Sequence, residues 1–178
     1  ARGFKMDRTT AGSLLRSEQA YCSELCEEET LDYGIAYYNP RFAALPEANQ
    51  FREVLIEDAT RIPEAYEQTE TWFHKRDLFC HRWAPAEGRG TDELADFLTR
   101  QGFRRRQHMA MSLVRWVDQE TPDQVRILPA RAMRTAYRET FTQLDTPGSS
   151  AMGELLAEAS LERLDDPHLD MVVALWDK

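Results

Sequence analysis

The sequence predicts an α+β fold, a mixed and largely antiparallel sheet flanked by helices. Three observations predict it. Segments with a helical period of apolar residues alternate with short aromatic or β-branched runs. The order that results is α-β-β-α-β-α-β, neither a pure bundle nor a strict β-α repeat. Pro40, Pro63, Gly102 and Pro129 mark boundaries of individual segments.

Taken in order, residues 13–29 bring Leu15, Cys22, Leu25 and Cys26 to one face of a helix. GIAYYN (34–39) reads as a strand stopped by Asn39 and Pro40, and FREVLIE (51–57) as a second strand. Residues 62–76 start with Pro63 in a first helical turn and place Tyr66, Thr69 and Phe73 together. LFCHRWA (78–84) is a short strand. Residues 88–103 form a helix with Leu94, Phe97 and Leu98 inward and Gly102 as its stop. In 104–114 Met109, Met111 and Leu113 alternate with His108, Ala110 and Ser112, a period of two. The polar segment 118–124, with Pro122, reads as a linker between a domain at 1–117 and a second unit at 125–178. That unit is read as strand 125–130, helix 132–144 (Met133, Tyr137, Phe141, Leu144), turn 145–150, helix 151–164 capped by Ser150, and strand 171–176. A β-α-α-β unit of this kind is the opening of a domain rather than a whole one.

Composition narrows the function. In 178 residues, 42% hydrophobic content is enough for a real core. A formal charge of −9 argues against general nucleic-acid binding, because phosphates are repelled at long range. No apolar run approaches the roughly 20 residues of a membrane-spanning helix, and ARGFKMDRTT has no apolar stretch behind it to act as a secretory signal. Three cysteines make no disulfide framework, so a cytoplasmic setting is expected.

"DELADFLTRQGFRRRQHMAMSL" (92–113) resembles the closing helix and strand of GNAT acetyltransferases, in which a helix ending in a Gly-Phe phrase leads into a strand. The β-α-α-β of 125–176 is similar to the opening of that fold. "YYNPRFAALPEANQFREV" (37–54) resembles the first halves of tandem GNAT-like bacterial proteins, where a degenerate domain precedes a more typical one. The resemblance implies an acyl-CoA N-acyltransferase-like fold, acetyl-CoA as cofactor and a small-molecule amine as acceptor. It also implies a pyrophosphate loop of the form Gln/Arg-x-x-Gly-x-Gly/Ala between a central strand and a helix. Glycines there let backbone N–H groups converge on phosphate oxygens at a helix N-terminus. The corresponding segment, EDATRI (57–62), has no glycine and carries Glu57 and Asp58. Acyl-CoA binding by this chain is therefore doubted, and the 1–117 domain is expected to be non-catalytic. Any catalytic loop would lie beyond Lys178.

Gly88, Arg89 and Gly90 are the remaining cofactor-binding candidates, since they follow a strand and open a helix. Pro85 stands where the family has Gln or Arg, and Asp92 and Glu93 already complement the helix dipole. A flexible loop with a well-charged helix start is the preferred reading. Cys22, Cys26, Cys80 and His81 have the types for a metal site, but their apolar contexts favour buried thiols and no metal. His74, His81, His108 and His168 stand apart from any nucleophile motif; His108 is the one considered as a general base. Tyr66 and Tyr137 have the chemistry of a general acid, though their spacing says core. Arg104, Arg105 and Arg106 are a positive island suited to a phosphate or to the acidic second unit, and the second is preferred because it needs no extra partner. No catalytic residue is assigned.

Three functions follow as expectations. The first is part of an acetyl-CoA-dependent N-acetyltransferase with a supporting first domain. The second is a non-catalytic binding or dimerisation module, favoured by open strand edges in the second unit. The third is an α+β enzyme holding a phosphorylated ligand on Gly88–Gly90.

Overall fold

The computed structural model describes residues 17–106, 122–143, 150–167 and 169–176. The chain divides into two compact units, Ala1–Met111 and Ser112–Lys178. The expected strand beyond 106, the linker at 118–121, the turn at 145–149, Leu15, Leu144, His108 and His168 lie outside the described residues.

In the first unit a helix at 17–23 (α1) leads into β1 (Glu27–Leu31), β2 (Gly34–Tyr38) and β3 (Gln50–Val54). After α2 (Ile62–His74) comes β4 (Arg82–Pro85) and then α3 (Asp92–Arg100). The sheet order is β1-β2-β3-β4, with β1–β2 and β2–β3 antiparallel and β3–β4 parallel. The fold is α+β with a mixed sheet, as the alternation of periods implied.

β1 corrects the expectation of one helix through residue 29. The helix turns at Cys22 and Ser23, whose carbonyls accept from the N–H groups of Leu25 and Cys26. The glutamates beyond it, good helix formers by themselves, enter the sheet because tertiary partners outweigh propensity. Tyr38 Oη donates to Glu27 at 2.8 Å, and Glu29 takes Trp72 Nε1 at 2.9 Å and Arg76 Nη2 at 3.0 Å. A two-residue turn, Asp32–Tyr33, then closes the hairpin from Leu31 to Gly34.

Strand alternation sorts the two faces of the sheet. Phe51 and Ala36 point into a core with Val54, Ile62, Phe73, Leu78, Cys80 and Leu94, against which Trp72, Trp83 and Phe97 pack. On the opposite parity, Tyr37, Gln50 and Arg52 are buried too, and Tyr37 Oη accepts from Gln19 of α1 at 2.9 Å. The turn Pro40–Phe42 is tied to the sheet by the fully buried Asn49. Its Nδ2 donates to the Phe42 carbonyl at 2.9 Å, and its Oδ1 accepts from Asn39 N–H at 3.2 Å.

β3 ends earlier than the 51–57 run suggested. Its pairing with β4 shifts between Phe51 and Val54, and Glu53 sits in the left-handed region at φ 53°. This is a β-bulge, which bends the strand and ends its regular alternation. The Leu55 N–H then turns to the Tyr33 carbonyl. β4 starts later than expected, because the segment before it bonds elsewhere: Leu78 N–H to Phe73 and His81 N–H to Asn49. α3 is shorter than 88–103. Thr91 caps it through Leu94 N–H at 3.2 Å, and Gly102 at φ 95° ends it, followed by Phe103 N–H to the Leu98 carbonyl.

The second unit pairs β5 (Val125–Pro129) with β6 (Val172–Trp176) antiparallel. A turn at Ala130–Met133 precedes α4 (Arg134–Thr142), and α5 (Ser150–Arg163) follows, with Ser150 as its first residue rather than a residue before it. Ala130, Leu164 and Val173 form the core with Met133, Tyr137, Leu161, Met171 and Leu175. Arg131 fastens the end of α5. Its guanidinium donates to the carbonyls of Leu164, Asp166 and Leu169, just beyond the end of that helix. Val125, Ile127 and Pro129 stand opposite Trp176, Ala174 and Val172, so one face of the hairpin carries only apolar side chains. Ile127, Val172 and Trp176 are each more than half exposed. Among the described residues, no helix is long and apolar enough to cross a membrane.

Candidate functional site

The two loops singled out in the sequence are both occupied by their own side chains. Between β3 and α2, Asp58 Oδ1 accepts from Thr60 N–H at 2.9 Å and Thr60 Oγ1 at 2.7 Å. The Thr60 hydroxyl and then its backbone N–H hold the Asp58 carboxyl below its ordinary value. Arg61 donates from Nε and Nη2 to the two Glu64 oxygens at 3.1 and 2.9 Å. The Thr60 amide thus meets a carboxylate of the chain itself, Glu64 stands in the first turn of α2, and Arg61 is paired with it.

The Gly88–Arg89–Gly90 loop is exposed. Gly88 needs its freedom, at φ 69°, while Arg89 N–H turns back to the Ala86 carbonyl at 2.9 Å. The helix start beside it is capped by Thr91, has Asp92 and Glu93 in its first turn, and holds Arg105 on Asp92 at 2.9 Å. Arg105, from the basic island, finds its counter-charge on α3.

The remaining candidates are dispersed. Among the described residues, no three His, Cys, Asp or Glu side chains gather as metal ligands would. Cys22 Sγ accepts from Arg52 at 3.6 Å, Cys26 Sγ lies 3.5 Å from the Ala48 carbonyl, and Cys80 Sγ lies 3.4 Å from the Arg82 carbonyl. Burial pushes the Cys80 thiol far up, which makes it an inert core thiol. His81 Nε2 is 3.0 Å from the Ala43 carbonyl, and His74 Nδ1 is 2.8 Å from that of Glu70. Tyr66 stacks on Trp83 with centroids 6.0 Å apart, and Tyr137 donates to Met171 Sδ at 3.0 Å. Both tyrosines have their phenol raised by burial first.

What the fold does bring together was not visible in the sequence. On the α1 side of the sheet, Arg52 of β3 and Arg82 of β4 converge on one oxygen of Glu18 from α1. Arg52 Nη1 lies 3.4 Å from Glu18 Oε1 and Arg82 Nη2 lies 3.0 Å from the same atom. Arg52 is only 4% exposed, and its Nη1 also lies 3.4 Å from Gln50 Oε1. These groups line a cleft of about 160 Å³, whose wall also includes Pro85 and the carboxylates of Glu53 and Glu87. The parallel pairing Gln50↔Arg82 sets the two arginines side by side, and the bulge at Glu53 follows directly. Burial alone would raise the Glu18 carboxyl, but the charges of Arg52 and Arg82 and their hydrogen bonds outweigh it and hold it below 4.5.

A depressed carboxyl stabilises the fold above its unfolded value, and that contribution is lost as pH falls through the folded value. Glu18→Gln is therefore expected to be less stable than the parent at neutral pH, with the gap closing below about pH 4.5. Melting temperatures across that range check it; a gap that stays constant contradicts it.

Compared with protein-family models, with curated proteins and with solved structures, the chain matches none.

Proposed function

We propose that the first unit is a GNAT-like domain without an acyl-CoA site, acting as the supporting part of an acetyl-CoA-dependent N-acetyltransferase. The order of its elements supports the resemblance. A helix and an antiparallel series β1-β2-β3 are followed by α2, by β4 parallel to β3, and by α3 with its Gly102–Phe103 ending. The observation that carries the non-catalytic reading is the β3–α2 connection. A pyrophosphate placed there would meet Asp58 and Glu64, with Arg61 committed to Glu64 and no glycine to let the backbone approach.

Calorimetric titration of acetyl-CoA into the 178-residue chain tests this. No saturable heat is expected. Micromolar binding would overturn it, and Gly90→Val would then report whether the Gly88–Gly90 loop holds the pyrophosphate.

A further inference from the structure

We propose that the cleft between α1 and β3–β4 binds a small molecule with a single carboxylate, which takes the place of Glu18 between Arg52 and Arg82. The proposal does not rest on the acyltransferase reading; it stands on the arrangement of the two arginines.

Taking a guanidinium out of water is costly unless it is well paired. Arg52 has five N–H donors, yet among the described residues its hydrogen bonds come from Nη1 and are long: 3.4 Å to Glu18, 3.4 Å to Gln50 and 3.6 Å to Cys22. Well-formed charge-assisted bonds are shorter, at about 2.7–2.9 Å. The buried charge is thus held by three long contacts, and it lies at the wall of an open cleft. Arg82 aims a second guanidinium at the same point. Two guanidinium groups converging on one oxygen are a carboxylate-binding geometry, because their planar forks match the two oxygens of that group.

The group now at that point belongs to the chain. Glu18 reaches in from α1, and its side chain remains 40% exposed. It uses Oε1 for both arginines and forms no bidentate pair with either. A ligand carboxylate free to orient can meet both forks, which an anchored glutamate does not. Glu53 and Glu87 in the wall oppose a dianion and favour a ligand with an ammonium near its carboxylate. The cleft volume of about 160 Å³ suits something the size of a small amino acid.

The test is a titration of the ¹⁵N-labelled full chain, reading arginine Nε–H and neighbouring amide signals. The probes are β-alanine, acetate and inorganic phosphate. β-Alanine and acetate are expected to shift the Arg52 and Arg82 signals saturably. Glu18→Gln removes the internal competitor and should tighten both by about tenfold, the worth of one charged contact. Arg82→Gln should abolish saturation. Both substitutions fall on side chains at least a third exposed, so folding should survive, and the melting curve of each variant verifies it. Binding that is no tighter in Glu18→Gln would overturn the proposal. So would phosphate binding as well as acetate, which would mark a general anion patch. Acetyl-CoA reports on the β3–α2 loop and acetate on this cleft, so either reading can fail without the other.

Discussion

Phe51→Ala is expected to destabilise the first unit by about 3–5 kcal/mol, the range for deleting a fully buried aromatic side chain. Phe51 is 0% exposed, sits in an inner strand and belongs to the core cluster of the unit. Its ring meets Trp83 edge-on with centroids 4.9 Å apart, an interaction beyond area burial that alanine also removes. The rigid sheet on one side and α2 on the other limit collapse into the void. Urea unfolding followed by tryptophan fluorescence measures it, since Trp72 and Trp83 both border this core. A loss under about 1 kcal/mol would mean that the site relaxes far more than close packing allows.

Gly34→Ala is expected to cost about 1–3 kcal/mol or more, the range for overpacking. A Cβ there would lie 2.6 Å from the Arg52 carbonyl oxygen and 2.9 Å from Phe51 Cζ. The ring atom has some room to shift; the carbonyl belongs to the sheet backbone and does not. Adding Phe51→Leu to Gly34→Ala is accordingly expected to give no rescue, and the same urea unfolding decides it. Recovery in the double variant would show that the ring, not the backbone, is the obstacle.

These two positions also show what the sequence made legible. The helices α2 and α3 were readable because Pro63 and Gly102 act locally, through backbone geometry, whereas the Thr91 cap that sets the start of α3 was not read. β1 was not, since nothing in Glu27–Thr30 signals a strand until Tyr38, Trp72 and Arg76 supply partners. The true extent of β3 was hidden by the bulge at Glu53, which a run of sheet-forming residues does not reveal. The loops after β3 and β4 were legible as charged from composition alone. The arginine cleft was not. Glu18, Arg52 and Arg82 come from three segments 30 or more residues apart, and none belongs to a motif. The one available signal was Arg52 itself, a lone cation between Phe51 and Val54 in a strand with buried residues on both faces.

The apolar face of the β5–β6 hairpin has a colloidal consequence. Ile127, Val172 and Trp176 together present an exposed apolar surface, on which copies of the chain are expected to adhere when they meet. Meeting is opposed by the net charge of −9, whose mutual repulsion reaches across dilute buffer. Added salt shortens that reach to about 8 Å at physiological strength while leaving the apolar contact intact. Dispersion is therefore expected to shorten as ionic strength rises, with no change of conformation needed.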